Sequence, residues 1–370
     1  MTQHAGENSF FALYVFTIAA LVGAPLVGVL MSGQPVGRYL DFPPLTRYVQ
    51  HAPFNLVIFS AGALFFQLIM TGIIVLSDCA LSLKRDRKQW PFPWWGWGGI
   101  MLSVCAWVLA WNRFPWFATL QPYTFTPLWL GYILSVNGVT VKRSGTCLMQ
   151  RESYRFFLLF PVSSIFWWYF EWLNRFVQNW YYTGIDDFSA LAYVLHATLC
   201  FSTVLPAVAS TMELVSTFQS SDNCSCPGAN IKITWNQRQE WLLLAIMAVV
   251  LTALPVAPDQ LFPFVWIAPL IIIVSMQGIA GRQTIFSLFA QGNWRPIIIP
   301  ALAALICGFF WEMWNWKSLA HWEYSIPYVD RYHVFAMPIL GYLGYLPFGL
   351  QCQVVTATVF DFPLYGTPAK

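Results

Sequence analysis

Phe166-Trp-Trp-Tyr-Phe-Glu-Trp-Leu-Asn-Arg-Phe-Val-Gln-Asn-Trp-Tyr-Tyr182 returns later in the chain as Phe309-Phe-Trp-Glu-Met-Trp-Asn-Trp-Lys-Ser-Leu-Ala-His-Trp-Glu-Tyr324. Both stretches read Glu-x-x-Asn followed by Trp-x-Tyr. Glu171 and Asn174 correspond to Glu312 and Asn315 at an offset of 141 (312 − 171), and Trp180 and Tyr182 to Trp322 and Tyr324 at 142 (322 − 180). A spacing of three puts each Glu and its Asn on one helix face. The similarity spreads outward: Ser135-Val-Asn-Gly138 matches Ser275-Met-Gln-Gly278 and Arg155 matches Arg295 at an offset of 140, and Leu205-Pro206 matches Leu346-Pro347 at 141. The chain reads as a duplication.

Composition decides what was duplicated. Of 370 residues, 58% are hydrophobic and only 9% charged, with 20 Trp and a mean hydropathy of +0.56. A soluble domain carries about 25% charged residues. The apolar stretches approach the roughly 17 to 25 residues that a helix needs to cross a bilayer. Nothing shows the ten-residue alternation of a membrane barrel, and backbone polar groups in lipid must be paired within the segment. The expected fold class is therefore all-α, a polytopic membrane helix bundle of about ten transmembrane helices containing two parallel four-helix repeats.

The ten expected spans are 10–31, 54–76, 94–111, 125–136, 156–173, 190–214, 241–254, 264–279, 296–314 and 334–359. The first starts at Phe10 without a basic leader and is read as a retained helix. The fourth, seventh and eighth are short, and Pro127, Pro255 and Pro258 could break them into re-entrant segments. Basic residues test the map, because Lys and Arg accumulate on the cytoplasmic side. Lys84, Arg85, Arg87 and Lys88, then Lys142, Arg143, Arg151 and Arg155, then Lys232 with Arg238, then Arg282 with Arg295, all fall in alternate loops. Both termini are thus expected in the cytoplasm, with the protein multi-pass in the cytoplasmic (inner) membrane. The expected organisation is two amino-terminal helices with a basic loop (1–90), a first four-helix repeat (91–220), a polar linker (221–240) and a second repeat (241–370). Four spans per copy make the copies parallel about a two-fold axis along the membrane normal.

On this topology both Glu-x-x-Asn motifs end a span at the extracytoplasmic face, followed by short loops bearing Trp-x-Tyr. A carboxylate in the membrane is costly unless it is paired or faces protein or water, which makes Glu171 and Glu312 candidate catalytic acid–base groups. Asn174, Asn315, Trp180, Tyr182, Trp322 and Tyr324 are the candidate substrate-binding residues. The structural alternative is that Glu171 pairs with Arg175 one turn on and that the Asn side chains satisfy loop carbonyls; the second copy has Trp316 where the first has Arg175.

Other features carry less. His321, Glu323, Asp330 and His333 share one loop without a diagnostic ligand spacing, and Asp186 and Asp187 stand in another; no metal is assigned. His196 reads as a packed histidine inside a span. Trp94-Trp-Gly-Trp97, Trp107 with Trp111, and Phe309-Phe-Trp311 read as interfacial aromatic belts, with a ligand groove as the other option. Pro206 and Pro347 fall at matching positions inside spans, where they would interrupt the helix ladder. Of 8 cysteines, Cys105, Cys200, Cys307 and Cys352 lie in spans; Cys79, Cys147, Cys224 and Cys226 are expected cytoplasmic and reduced. No phosphate-binding Gly loop, nucleophile elbow or His-Glu-x-x-His is present.

An acid near a helix end, then Trp-x-Tyr, then a Pro-containing apolar helix, all repeated, resembles the layout of membrane-embedded lycopene cyclases and related carotenoid enzymes. The resemblance is one of order. That family's pattern has paired acids after the proline, where this chain has Ala207-Val-Ala and Phe348-Gly-Leu, so no family role is carried over.

The leading functional expectation is a membrane-embedded enzyme acting on a lipid or polyisoprenoid. Alternatives are a transporter or channel for a small or apolar solute, and a structural or assembly subunit of a membrane complex. The expected partners are the bilayer and an apolar substrate. The small net charge of +3 argues against nucleic acid, and no cofactor or protein partner is assigned.

Overall fold

The computed structural model describes residues 2–44, 46–80, 89–218 and 235–360. The basic cluster Lys84, Arg85, Arg87 and Lys88, Lys232, and Cys224 with Cys226 in the linker lie outside the described residues, as does the side chain of Cys79.

The chain is mostly helical. Its longer helices are α1 (Thr2–Met31), α2 (Leu56–Ala80), α3 (Trp94–Trp111), α4 (Phe125–Ser144), α5 (Ser153–Val177), α6 (Ala190–Ser202), α7 (Val204–Ser216), α8 (Gln237–Ala253), α9 (Phe264–Ile279), α10 (Arg295–Asn315) and α11 (Tyr345–Phe360). Six stretches among the described residues are long and apolar enough to cross a membrane: Leu56–Ser77, Trp94–Trp111, Ser153–Val177, Ala190–Ser216, Arg295–Asn315 and Ile339–Phe360. Val15–Met31 and Phe264–Ile279 are shorter apolar helices. This is the build of a helical membrane bundle.

The prolines act differently from the sequence expectation. Helix α4 continues past Val136 to Ser144 because Pro127 falls in its first turn, where the N–H has no intrahelical acceptor to lose. Pro255 sits in the turn between α8 and α9, and Pro258 starts a one-turn helix there. Pro206 and Pro347 are the third residues of α7 and α11 rather than interior kinks. What interrupts each apolar stretch comes just before them. The chain breaks at Thr203 between α6 and α7, and a 3-10 segment, Ile339–Gly344, leads into α11.

Close approach of glycines locks α3 to α4. A Cβ on Gly99 would lie 2.9 Å from the Gly131 carbonyl oxygen, and one on Gly138 would lie 3.0 Å from the Gly96 Cα, so these positions admit no larger residue while the backbones stay this near. Helices α7 and α11 run through the middle, where α7 touches α4, α5, α10 and α11, while α11 packs on α9 and α10. Phe348 of α11 meets Phe166 and Phe170 of α5 at 5.9 and 5.8 Å between ring centres.

Contacts between the ends of helices define two sides. On one, Arg143 donates to Thr217 at 2.7 Å, Arg151 pairs with Glu213 at 2.6 Å, and Gln237 donates to the Ile279 carbonyl at 3.1 Å. On the other, strand β1 (Trp180–Thr183) pairs antiparallel with β2 (His321–Tyr324). The Trp-x-Tyr segments, expected as loops, are therefore a two-stranded ribbon. Residues 32–44 and 46–55, between α1 and α2, form a strap on this side, where the Arg47 N–H donates to the Gln178 side chain at 3.1 Å, Tyr48 packs edge-on to Tyr181 at 5.7 Å and Ser325 donates to the Val49 carbonyl at 2.7 Å. The first will be called the basic side and the second the ribbon side.

Candidate functional site

Glu171 and Glu312 lie near the ribbon-side ends of α5 and α10, each with no solvent exposure. Burial forces each carboxyl to find partners within the protein. The Glu171 Oε1 accepts from Trp167 Nε1 (2.9 Å), Trp180 Nε1 (3.1 Å) and the Tyr182 hydroxyl (2.6 Å). The Glu312 Oε1 accepts from the hydroxyls of Tyr324 (2.7 Å) and Tyr345 (2.6 Å), and Trp322 Nε1 donates in turn to the Tyr324 hydroxyl at 2.7 Å. In both sites the second oxygen, Oε2, has no hydrogen-bond partner among the described residues. Burial, followed by the neighbouring Glu, holds the phenols of Tyr182 and Tyr324 well above their ordinary pKa.

The two asparagines are strand anchors. Asn174 donates to the Trp180 carbonyl at 2.7 Å and accepts from the Asn179 N–H at 2.8 Å. Asn315 donates to the Trp322 carbonyl at 2.7 Å and accepts from the Trp322 N–H at 2.8 Å. Each amide is held by backbone at both ends and so fixes where its strand leaves the helix.

Those strands meet in a register that maps onto itself under the 142-residue offset: Trp180 faces Tyr324, Tyr182 faces Trp322, and Tyr181 faces Glu323 at the centre. Each strand then places its Trp against a helix from the other half of the chain. Trp180 stacks on Trp266 of α9 at 5.6 Å, and Trp322 packs edge-on to Phe125 of α4 at 5.9 Å.

Sequence reading missed Tyr345, and the reason is a reciprocal exchange. At the 141-residue offset, Trp167 corresponds to Gly308 and Val204 to Tyr345. In the first site the helix that bears the Glu supplies an indole donor from Trp167. In the second, Gly308 vacates that space: a Cβ there would stand 2.5 Å from the Tyr345 ring, and the phenol fills the gap to reach Glu312. Each acid keeps its donors by a different route.

The expected pairing of Glu171 with Arg175 is not what forms. Arg175 instead donates to the carbonyls of Arg38, Asp41 and Pro43 in the strap, and Trp172 Nε1 donates to the Tyr39 carbonyl at 2.9 Å. The bent path of the strap leaves these carbonyls without regular partners, and a guanidinium has the donors to serve several at once. Farther along, His51 bridges Asp259 Oδ1 (2.7 Å) and the Gln178 carbonyl (3.2 Å), while the Ala52 N–H donates to Asp259 Oδ2 at 3.0 Å. Arg175, His51 and Asp259 thus tie the strap to both halves.

Between α2 and the rest of the bundle runs a cavity of about 1170 Å³. Trp180, Tyr182, Trp322, Tyr324 and Tyr345 line it, so the donors to both carboxyls form part of its wall while the carboxyls stand behind them. Helix α2 contributes one face from Ile58 to Leu76, and Trp294 and Ile297 close the basic end. At 1.5 Å per residue that face is about 27 Å long, close to the bilayer core thickness of about 30 Å. Trp311, expected in a belt, is 4% exposed and lines this cavity, stacked on Tyr345 at 5.9 Å. Trp94 and Trp97 do lie outside, at 83% and 58% exposed. His196 packs edge-on to Tyr123 and Phe188, with its ring edging the cavity.

His321 sits 3.4 Å from Glu323 on β2, His333 sits 2.9 Å from Asp330 in a separate turn, and no group of three or more His, Cys, Asp or Glu with metal-binding geometry occurs among the described residues. Cys147, on the basic side, is fully buried, which pushes its thiol up to about 11. No family model, no curated protein sequence and no solved structure matches this chain.

Proposed function

We propose that this chain is a ten-span protein of the cytoplasmic membrane, with both termini cytoplasmic, that acts on a lipid or polyisoprenoid held within the bilayer. In this reading residues 91–220 and 241–370 are parallel repeats. The self-mapping register of the ribbon and the matched carboxyl networks support that relation. Each copy contributes one acid, Glu171 or Glu312, reached from the cavity through Tyr182 in one half and through Tyr324 and Tyr345 in the other. The ribbon side faces away from the cytoplasm, because Arg143, Arg151, Arg155, Arg238 and Arg295 gather at the opposite ends of the helices.

One observation carries the proposal: an apolar cavity about as long as the bilayer is thick shares its wall with the hydroxyls and indoles that end on two buried carboxyls. Ligand sites of this kind are apolar, with a few convergent polar groups. Proton exchange between a carboxyl and an enclosed substrate through a phenol is chemistry such a site can perform. Ion transport fits poorly, since the only ionisable side chains other than tyrosine and cysteine among the described lining residues are His196, Asp259 and His321.

Glu→Gln substitution separates catalysis from scaffolding. A Gln carbonyl at Oε1 still accepts every donor while the exchangeable acid is lost; its NH2 group falls where Oε2 has no partner, a buried-donor cost that matched expression of the variants controls for. Lipid extracts of cells with and without the protein, and with Glu171→Gln, Glu312→Gln and the double variant at matched expression, are compared by mass spectrometry. The proposal expects a lipid species that depends on the protein and is lost in each variant. A lipid profile that ignores both the protein and the variants would sink it.

A further inference from the structure

Resting on that reading of the cavity as a lipid site, we propose that its occupant is an uncharged long-chain alcohol, with the hydroxyl at the ribbon end and the chain running toward Trp294. Three observations define this class.

The first is charge. No Lys or Arg occurs among the described residues lining the cavity, and the one carboxylate there, Asp259, stands at the ribbon end. A phosphate or diphosphate headgroup would meet a carboxylate and no guanidinium or ammonium, whereas phosphate recognition relies on charge-assisted bonds from such groups. A bare charge in apolar surroundings is strongly disfavoured.

The second is the polar group at the ribbon end. Asn179 lines the cavity, is 5% exposed, and its side-chain oxygen has no hydrogen-bond partner among the described residues. Its backbone is fixed on both sides, the N–H by Asn174 and the carbonyl by Ser325. A buried amide left unpaired is destabilising. The oxygen itself is shut in, and a hydroxyl, which both donates and accepts, can pair with whichever end of the amide is turned to the cavity. A hydrocarbon can satisfy neither.

The third is size. Packed at about 30 Å³ per water-sized group, the cavity has room for up to about 40 carbons. Along α2 the lining positions Ile58, Gly62, Phe65, Ile69, Gly72 and Leu76 recur at helical spacing, presenting a single stripe to one long chain.

The test uses the full-length protein in nanodiscs of zwitterionic lipid. Tryptophan emission is followed during titration with three probes: geranylgeraniol, geranylgeranyl phosphate and squalene. The expected order is the alcohol tightest and the phosphate at least tenfold weaker. Asn179→Leu should weaken the alcohol about tenfold and leave squalene unchanged, with a melting temperature no lower than that of the wild type showing that the fold persists. Gly72→Trp, at a lining position of α2 where an added side chain meets no atom within 4 Å, fills the cavity and should abolish binding of all three. If the phosphate binds as tightly as the alcohol, or if Asn179→Leu changes nothing, the alcohol assignment is overturned while the lipid site stands. If no probe binds, or if Gly72→Trp leaves binding unchanged, the lipid reading itself fails.

Discussion

Gly308 offers a quantitative test of how the second carboxyl is held. A methyl group there would stand 2.5 Å from two atoms of the Tyr345 ring and 2.7 Å from a third, where ordinary contacts begin near 3.4 Å. The ring must retreat by about 1 Å, a displacement that overpacks a buried site at about 1–3 kcal/mol. The same movement stretches the 2.6 Å bond from Tyr345 to Glu312 beyond hydrogen-bond range, a further loss of about 1–3 kcal/mol. Replacing Gly by Ala inside a helix returns up to about 1 kcal/mol. Gly308→Ala should therefore destabilise by about 1–5 kcal/mol in chemical denaturation of the detergent-solubilised protein. In a Tyr345→Val background, which copies Val204 of the first site, the ring is gone and the same substitution should be nearly neutral. The coupling between the two positions is the diagnostic quantity. Were Gly308→Ala to stay within about 0.5 kcal/mol of wild type, or to have the same effect in both backgrounds, the reciprocal exchange would be refuted.

Two further outcomes follow from the ribbon side. Arg175→Met keeps much of the side-chain volume but removes the donors to Arg38, Asp41 and Pro43, so hydrogen exchange in residues 37–55 should accelerate about tenfold or more, while the ends of α3 and α4 on the basic side stay protected. Tyr181 donates to Glu323 at the centre of the ribbon, and burial with that carboxylate pushes its phenol up to about 12. Because the folded value lies above the unfolded one of about 10, its contribution is complete below pH 10 and is lost as pH rises toward 12. Tyr181→Phe should flatten the alkaline fall in melting temperature over that window, and an unchanged slope would remove Tyr181 as its source.

The twice-occurring Glu-x-x-Asn motif was legible because its residues serve local needs that recur at both places. Glu171 and Glu312 must be buried with donors nearby, and Asn174 and Asn315 must fix the chain as it leaves a helix, so both survive at constant spacing. The apolar stretches were legible for the same reason, since length and hydropathy act within one segment. What depended on distant partners was not. Two four-residue strands, Trp180–Thr183 and His321–Tyr324, are too short to announce a ribbon, and their pairing joins residues about 140 positions apart. Arg175 looked like a partner for Glu171 because the sequence shows spacing along a helix, not the strap whose carbonyls it serves. The Val204 to Tyr345 correspondence was visible at the established offset, and with Trp167 set against Gly308 it could have identified the second donor to Glu312. Nothing in the α2 sequence distinguishes the stripe that lines the cavity from faces turned to lipid, because both are apolar.

The central claim, a bilayer-spanning lipid site between α2 and the bundle whose wall carries the donors to Glu171 and Glu312, is tested most directly by a cryo-electron microscopy map of the protein in nanodiscs of native lipid extract. The account predicts one elongated density from Trp294 toward Asn179, passing the rings of Tyr182, Tyr324 and Tyr345. Helix α2 closed against the bundle, with the open space beside Gly72 gone, would contradict it.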